Sequence, residues 1–516
     1  MKDKRMMMSL LIFLLIGVSS SSFFLNAHLT KLVTSQNYSE AQFDYALAQN
    51  NFTALSVAWQ QTVVHSEPWV VLATKLAKTQ GEAAYQLALF YQEVYQKDDQ
   101  EQPVQAIFWY KNAIRLNHHP AFLALAQLYF QQQQFDKAQA VLAQLPTELT
   151  DTLANEALML EIQLTIHQAN LNKLSQLIAN YQGQLQTTVA GQALLTNIKK
   201  YQVLSFEKRL VAVNADSISC DNSIQLFATN LKHLNALEQL IDDFKTQPLS
   251  RSLCFTPVRY LPKTAIDCST TANKAISCDE LSWEALADTI DTRYVGLMLP
   301  QGGANVHLGI LYFDAEDNID VFTHEISHLL GFVDEYPLNE HHARCQSSQE
   351  EAFSSNIAVL KKRYQGDRVA VRQWVLKQIS WGKQIKTTTP ILQPTTSSHG
   401  QQYWQLGTPE AFKNQVGLFT AQTCDNTTER TSVNFSAFKP LYQRTKLQYY
   451  ALDFPSLYLQ LLQTHKQKYL MPSFHYNIAL AYFKQDNIAL AHYWLKQSAV
   501  REVDHFRRKK TRLGQF

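Results

Sequence analysis

The chain has 516 residues, of which 46% are hydrophobic and 17% charged, so it is expected to fold as roughly two or three globular domains and not to remain disordered. Its 46 basic and 44 acidic residues give a formal net charge of +2. This balance argues against nucleic acid as a partner, and it gives no reason to expect a strongly anionic one.

The first 27 residues have the layout of an export signal. Basic residues within the first five positions precede an apolar run at 6–18, and small residues follow, so cleavage after Ser20 or Ala27 is expected. Because residues 6–25 are nearly long enough to span a bilayer, an uncleaved membrane anchor is the alternative. In either form the protein is predicted to be exported, to the periplasm or cell envelope or as a secreted protein.

Residues 38–200 are predicted to form one helix after another, because they are rich in Ala, Leu, Gln and Tyr and almost free of Gly and Pro. Two stretches within them, 84–91 and 122–129, look related, and Tyr91 and Tyr129 are 38 residues apart. A repeat of that length is typical of helical-hairpin arrays. The segment resembles tetratricopeptide or Sel1-like repeats, which implies that it binds a protein partner or presents the substrate. An ordinary helical bundle is the alternative.

Between residues 218 and 335 the predicted elements alternate between strand and helix. The apolar runs predict strands at 224–228, 254–260, 294–299 and 310–313, with helices at 231–244 and 279–290. The helix after the last of these strands is expected to begin near Asn318 or Asp320. This region is therefore predicted to be an α/β domain.

The helix that begins near residue 320 carries a group of residues with metal-binding spacing. His324 and His328 are four positions apart, so both imidazoles lie on one helix face, one turn apart, and can share a metal ion. Glu325 is expected to act as the general base that takes a proton from a metal-bound water. Gly331 stands where the helix end needs a positive φ, and Asp334 is then placed to supply a third ligand. The pattern HExxHxxGxxD leaves one position open for water, as a catalytic zinc site requires.

With this motif the sequence resembles the metzincin type of zinc metallopeptidase, in the variant with an aspartate as third ligand, as in the snapalysin family. The segment 334–336, Asp-Glu-Tyr, is also similar to the HExxH…DEY segment of IgA-peptidase-type metallopeptidases. The resemblance implies an α/β zincin catalytic domain, with Glu325 as general base and with Zn²⁺ held by His324, His328 and Asp334. Glu335 remains an alternative third ligand if the helix continues past the glycine.

Two further segments are compared with the metzincin pattern. Residues 302–309 are expected to form an edge strand along the cleft that binds the substrate backbone by strand addition, and a plain hairpin loop is the alternative. The methionine turn beneath the metal is represented here by Leu447, within 445–449, or by Met471. If Leu447 fills that position, Tyr449 is expected near the metal, where it stabilises the oxyanion, and a packed aromatic is the alternative.

The six cysteines all lie outside the N-terminal helical region, at positions 220, 254, 268, 278, 345 and 424. An even number indicates disulfides formed in an oxidising compartment, and free buried thiols are the alternative. A disulfide between Cys345 and Cys424 would pin the loop that carries Asp334. His341 and His342 are alternative metal ligands, although adjacent histidines in a polar stretch usually lie in a surface loop.

A helical unit similar to the repeats returns near the end of the chain, at 476–495, and the basic run 507–510 after it is interpreted as a solvated tail. The sequence therefore predicts a multidomain protein. Its parts are a signal peptide or anchor at 1–27, a helical repeat domain at 38–200, a zinc metallopeptidase domain at 215–470, and a C-terminal helical repeat unit with a basic tail at 471–516.

The predicted activity is the zinc-dependent hydrolysis of peptide bonds by an exported endopeptidase acting on a protein or peptide substrate. The alternative is an envelope scaffold protein, in which the repeats bind partners and the zincin domain is structural or inactive. Hydrolysis of a non-peptide amide, such as a cell-wall bond, is a third interpretation of the same metal site.

Overall fold

The computed structural model describes residues 23–98, 104–146, 149–207, 222–272, 274–339, 342–396, 399–425, 435–465 and 468–516. The chain divides into two compact units, the first ending at Leu164 and the second beginning at Thr165. Most of the predicted signal or anchor, Cys220 and His341 lie outside the described residues. Within the described residues, no helix combines the length and the apolar character that crossing a membrane requires.

The described part of the first unit is helical, as the sequence predicts. Its helices are residues 23–34 (α1), Glu40–Ala48 (α2), Phe52–Gln61 (α3), Glu67–Leu76 (α4), Gly81–Asp98 (α5), Val104–Arg115 (α6), Pro120–Gln131 (α7), Phe135–Leu142 (α8) and Asp151–His167 (α9), the last of which runs into the second unit.

Small residues on the facing sides of these helices allow close packing. Ala84 and Ala88 of α5 and Ala113 of α6 are fully buried, and Tyr110 fills the space beside them. Each alanine loses little side-chain entropy on burial, so an alanine-rich helix face packs at low cost. Side-chain caps define where helices begin, as at Asn51, whose Oδ1 accepts a hydrogen bond from the amide of Ala54.

The second unit begins with helices and continues with a mixed sheet. Its elements up to the predicted metal-binding helix are α10 (Leu171–Leu185), α11 (Val189–Lys200), β1 (Ser223–Ala228), α12 (Leu231–Lys245), β2 (Cys254–Phe255), β3 (Arg259–Tyr260), β4 (Cys268–Ser269), β5 (Ser277–Cys278), α13 (Glu284–Ala287), β6 (Tyr294–Leu299), β7 (Asn305–His307), β8 (Ile310–Asp314) and α14 (Ile319–Leu329).

The main sheet has the strand order β2-β1-β6-β8-β7, and β3 also pairs with β1. All of these pairs are parallel except β7 with β8, so an antiparallel strand forms the edge. The predicted single strand at 254–260 is wrong in one respect: it is broken into β2 and β3 around Pro257, because proline lacks the amide that a strand ladder needs. The predicted helix at 279–290 is also shorter, since α13 ends at Ala287.

The rest of the second unit consists of two small antiparallel sheets and five helices, four of which lie at the C-terminal end. Its elements are β9 (Ala358–Lys361), β10 (Arg363–Tyr364), α15 (Arg368–Gln378), β11 (Leu392–Thr396), β12 (Gln402–Leu406), β13 (Phe419–Thr420), β14 (Phe435–Lys439), α16 (Ser456–His465), α17 (Phe474–Lys484), α18 (Ile488–Arg501) and α19 (His505–Arg512). The sheet orders are β10-β12-β11 and β13-β14-β9.

Helices α17 and α18 share a hydrophobic core with the main sheet. Phe474 and Leu495 are fully buried in one cluster with Leu297 and Ile310, which come from β6 and β8. A buried ion pair also joins the two parts, since Arg293 Nη2 lies 3.1 Å from Glu502 Oε1. The C-terminal helices are therefore built into the compact unit that contains the sheet.

Two disulfides lie within the described residues, between Cys268 and Cys278 and between Cys345 and Cys424. Cys254 is disulfide-bonded as well. The prediction that cysteines form disulfides is confirmed for these residues, and so is the predicted Cys345–Cys424 pair. An oxidising compartment remains a prediction.

Candidate metal centre

Helix α14 holds the predicted metal-binding residues between two defined ends. At its start, Asn318 Oδ1 accepts hydrogen bonds from the amides of Asp320 and Val321, at 2.9 and 3.2 Å. At its end, the amide of Gly331 donates to the His328 carbonyl at 3.0 Å, and Gly331 has a φ of +89°. A Cβ at Gly331 would lie 2.2 Å from the Tyr469 carbonyl oxygen, so glycine is required there by both conformation and space.

The sharp turn after α14 brings three ligand-type atoms together. His324 Nε2 and His328 Nε2 are 3.2 Å apart. Asp334 Oδ1 lies 3.1 Å from the first nitrogen and 3.2 Å from the second. His324, His328 and Asp334 thus form a compact triangle at the end of the helix, called here the candidate metal centre.

The triangle has the dimensions of a metal site. Ligand atoms about 2.0–2.1 Å from a tetrahedral zinc ion lie about 3.3 Å from one another, close to the separations in this protein. Asp334 Oδ1 is buried, and among the described residues none donates an aligned hydrogen bond to it. A buried carboxylate oxygen is costly unless a cation, either a metal ion or a protonated imidazole, satisfies it. The residues present therefore fit a zinc ion.

Hydrogen bonds to backbone carbonyls orient both imidazoles. His324 Nδ1 lies 2.8 Å from the Lys446 carbonyl oxygen, and His328 Nδ1 lies 3.0 Å from the Phe332 carbonyl oxygen. A carbonyl can only accept, so the proton of each neutral ring is on Nδ1 and the lone pair is on Nε2. This is the outer-shell arrangement that prepares histidines to bind a metal.

Without a bound metal ion, a proton on His328 balances the negative charge of Asp334. Burial opposes a charged His328, but the Asp334 carboxylate outweighs this effect and raises the pKa of His328 to about 10. Burial likewise opposes a charged Asp334, and the imidazole of His328 outweighs it, so the pKa of Asp334 lies well below its usual range. A divalent cation could take the place of that proton.

Glu325 lies beside the centre but takes no part in the triangle. Its side chain is buried, with 8% of its surface exposed, and among the described residues none hydrogen-bonds its carboxylate. One ligand-type atom from each of His324, Glu325 and His328 lies within 4.8 Å of the others. Burial raises the pKa of Glu325, while the positive charge of the histidines acts in the opposite direction. The carboxylate is thus free to accept a proton.

Glu335, the alternative third ligand, lies in a different environment. Its carboxylate is fully buried, and Lys439 Nζ donates to Oε2 at 2.8 Å. The Tyr458 hydroxyl and, at 3.3 Å, Asn356 Nδ2 donate to Oε1. The geometry therefore brings Asp334, and not Glu335, to the histidines.

The segment 445–449 hydrogen-bonds through its backbone to His324 of the candidate metal centre and to Glu335, the residue next to Asp334. The Lys446 carbonyl accepts from His324, and the Leu447 carbonyl accepts from the Glu335 amide at 2.9 Å, with Leu447 itself fully buried. Met471 lies by the end of α14, where its amide donates to the Leu329 carbonyl at 3.0 Å. Leu447 and Met471, the two candidates for the methionine position, thus both make backbone hydrogen bonds to residues next to the candidate metal centre.

The two tyrosines near the centre differ in position. Tyr449, the predicted oxyanion donor, is 54% exposed and lies against Tyr450, with ring centroids 5.3 Å apart. Its proposed role remains a prediction. Tyr336, to which sequence reasoning gave no chemical role, lies parallel to the His324 ring, with centroids 6.2 Å apart and an interplanar angle of 15°. The only sequence signal for it was its place in the Asp-Glu-Tyr segment.

The centre opens into a cavity of about 1300 Å³. The cavity walls include edge-strand residues, two residues of the centre (His328 and Asp334) and residues from the C-terminal helices, and further lining residues are Asn305, Val306, Glu325, Tyr336, Tyr476 and Phe506. His342 also lines the cavity, but its Nδ1 accepts from the Arg344 amide at 3.3 Å.

The basic run interpreted as a solvated tail is a helix that forms part of the cavity wall. Residues 507–510 belong to α19, which begins at the capping residue Asp504. Lys509 and Lys510 are exposed, as predicted, but Arg507 is partly buried and donates to Glu502 and to the Leu470 carbonyl. The predicted solvated tail is therefore wrong for Arg507, because the buried carboxylate of Glu502 binds its guanidinium.

Comparison with protein families finds a tetratricopeptide repeat match over residues 99–159. The matched segment includes helices α6, α7 and α8. This finding supports the repeat part of the sequence interpretation, and repeats of this type generally mediate protein–protein interaction. No curated protein matches the sequence.

Proposed function

We propose that the second unit is a zinc-dependent peptidase of the metzincin type, which hydrolyses peptide bonds in protein or peptide substrates. The observation that carries the proposal is the convergence of His324, His328 and Asp334 at 3.1–3.2 Å beside the buried carboxylate of Glu325, at the wall of an open cavity. Structural zinc sites are closed by a fourth protein ligand, whereas catalytic sites keep three ligands and an open position.

His324, His328 and Asp334 would hold the ion. When bound there, zinc would activate a water molecule and polarise the scissile carbonyl. Glu325 accepts the proton from the attacking water and then delivers it to the leaving amine, which is the work of one group acting first as base and then as acid. The pKa of Glu325 is raised by burial, which makes the carboxylate a better proton acceptor near neutral pH.

Strand β7 supports a peptide as the substrate. It forms one edge of the main sheet, pairing with β8 on one side, and Asn305 and Val306 line the cavity. An extended peptide can pair with the free side of an edge strand, which aligns its backbone before any side chain is recognised. The predicted edge strand at 302–309 thus corresponds to a real strand, Asn305–His307, and its substrate role is part of this proposal.

The repeat unit is proposed to bind a protein partner or to present a protein substrate, as repeats of this type do elsewhere. Export, to the periplasm or cell envelope or outside the cell, and an anchor at the N-terminus also remain proposals that rest on the sequence.

The test uses the purified full chain, with Glu325→Gln beside wild type and Glu351→Gln, which changes another carboxylate of the cavity, as the matched control. Zinc per chain is measured by elemental analysis, and cleavage is measured on an unfolded protein substrate. We expect one zinc in each protein, cleavage by wild type and the control, and a loss of about 10²–10⁴-fold in Glu325→Gln.

Other outcomes distinguish the alternatives. Zinc in all three proteins without cleavage would favour the scaffold with a structural zinc domain, or hydrolysis of a non-peptide amide, which cell-wall fragments would test. Chains that bind no zinc would refute the metal centre itself.

A further inference from the structure

Tyr336 occupies a position from which its hydroxyl can act on a bound substrate. It lines the cavity together with Glu325, His328 and Asp334, and 39% of its surface is exposed. Its ring lies parallel to that of His324, with ring centroids 6.2 Å apart. The phenol is therefore beside the candidate metal centre, at the wall of the cavity.

The backbone that carries Tyr336 is held on both sides. The Asp334 carbonyl accepts from Thr423 Oγ1 at 2.7 Å, and the Leu338 amide donates to the Thr423 carbonyl at 2.9 Å. The Glu335 carbonyl accepts from the Gln422 amide at 3.2 Å. A donor whose backbone is fixed in this way is preorganised, which is what stabilisation of a transition-state charge requires.

Burial raises the pKa of Tyr336, and the negative charge of Asp334 acts in the same direction, so a neutral phenol, which is a hydrogen-bond donor, stands beside the Asp334 carboxylate. Once that carboxylate binds a cation, the phenol can donate to another oxygen of the site. A substrate carbonyl beside the centre supplies such an oxygen, and its negative charge grows as water attacks the carbonyl carbon.

We infer that Tyr336 is a catalytic residue that donates a hydrogen bond to the oxyanion formed during peptide hydrolysis. This inference rests on the proposed function. Water oxygen bonds to the carbonyl carbon, the electron pair of the C=O double bond moves to the carbonyl oxygen, and the water proton passes to Glu325. The phenol keeps its own proton and only shares it with the oxyanion. As Glu325 returns the proton to the nitrogen, the oxyanion reforms the C=O double bond, and the C–N bond breaks with its electron pair remaining on the leaving amine.

Tyr493 is the matched control, because it is a similarly exposed tyrosine and is not among the residues that line the cavity. Its surface is 47% exposed, and its described ring contact is with Trp494. Changing either tyrosine to phenylalanine removes one hydroxyl and keeps the ring, so folding should survive both changes.

The experiment compares wild type, Tyr336→Phe and Tyr493→Phe as full chains. It measures zinc affinity by competition with a chelator, binding of a phosphinic tetra-alanine peptide whose tetrahedral group imitates the oxyanion, and kcat and KM on an unfolded protein substrate. For Tyr336→Phe we expect kcat and phosphinate affinity each to fall about 10²-fold or more, while KM and zinc affinity change by less than about threefold. Tyr493→Phe should match wild type in every readout.

Two results would overturn the inference alone. Wild-type activity and phosphinate affinity in Tyr336→Phe would show that the hydroxyl does not act on the oxyanion. A loss of zinc affinity parallel to the loss of kcat would show that Tyr336 only supports Asp334. If instead wild type binds zinc but neither cleaves peptide nor binds the phosphinate, the proposed function fails and this inference with it.

Discussion

Asp334 and Glu335 are neighbours in sequence, yet Asp334 Oδ1 lies 3.1 Å from His324 Nε2 while Glu335 Oε2 lies 2.8 Å from Lys439 Nζ. The two carboxylates therefore hold different partners. One is available to a cation at the candidate metal centre, and the other balances a lysine inside the fold.

This difference gives a paired prediction. Asp334→Asn should lower zinc affinity by more than about 100-fold, since even outer-shell changes cost about 10–100-fold, and should change stability little. Glu335→Gln should keep zinc affinity within about tenfold but lower the free energy of unfolding by about 3–5 kcal/mol, because Lys439 loses its buried partner. Chelator competition and urea unfolding of the metal-free proteins measure the two effects, and an exchange of the two phenotypes would contradict the assignment.

Gly331 and Gly366 offer a test of the turn after α14. Both have positive φ, +89° and +105°, but a Cβ at Gly366 would meet no atom within 4 Å. Gly366→Ala should therefore lower the free energy of unfolding only by the cost of holding an alanine at positive φ, about 1–2 kcal/mol. Gly331→Ala adds a clash with the Tyr469 backbone and should cost at least about 2 kcal/mol more. It should also weaken zinc binding, since the turn positions Asp334. Equal losses of unfolding free energy in urea would show that the clash is relieved.

Removing either disulfide is expected to lower stability, but only one of the two removals is expected to change zinc affinity. Cys345–Cys424 closes 79 residues of chain and Cys268–Cys278 closes 10, so replacing each pair with serine should cost about 4 and about 3 kcal/mol respectively. Only the Cys345/Cys424 change should also lower zinc affinity, because Thr423, next to Cys424, donates to the Asp334 carbonyl. Urea unfolding and chelator competition on both double variants provide the check. Equal zinc affinities would argue against a role for this disulfide at the centre.

The buried ion pair of Arg293 and Glu502 should make the free energy of unfolding depend on pH in the acidic range. Burial acts to raise the pKa of Glu502, but hydrogen bonds from Arg507 and the charge of Arg293 outweigh it, and the pKa is lowered. A lowered folded-state pKa means that the stabilisation is complete above the ordinary glutamate pKa of about 4.5 and is lost as the pH falls below it.

The expected result is a free energy of unfolding that falls more steeply between about pH 5 and pH 3 in wild type than in Glu502→Gln. Glu350→Gln, which changes an exposed carboxylate, should keep the wild-type slope. Parallel curves for wild type and Glu502→Gln would refute the contribution of this group.

Local sequence patterns predicted those features that depend on neighbours in the chain. The spacing of His324 and His328 places both rings on one helix face, and Gly331 marks the turn, so the helix that carries these residues was correctly predicted with its start and end, while metal binding stays a prediction. The helical first unit was predicted in the same way. These features follow from the 3.6-residue period of a helix and from the conformational freedom of glycine.

Features that depend on distant parts of the chain could not be predicted. Lys439 and Tyr458 bind the carboxylate of Glu335, so Asp334 is the carboxylate that lies beside the two histidines. Both partners of Glu335 lie more than 100 residues further along the chain. The similarity of α17 and α18 to the repeats was visible in the sequence, but their shared core with β6 and β8 was not. An apolar helix face shows that a helix packs, and does not show what it packs against.

The contact between the end of α14 and residues 469–471 bears on how the protein is synthesised. The Leu329 carbonyl accepts from the Met471 amide, and Gly331 lies against Tyr469. A ribosome that has reached only the end of α14 has therefore not yet made the backbone that covers this turn. The first unit contains its own core and can fold early, as N-terminal domains generally do. The contacts that cover the turn of the candidate metal centre are therefore completed only after the C-terminal segment has been translated.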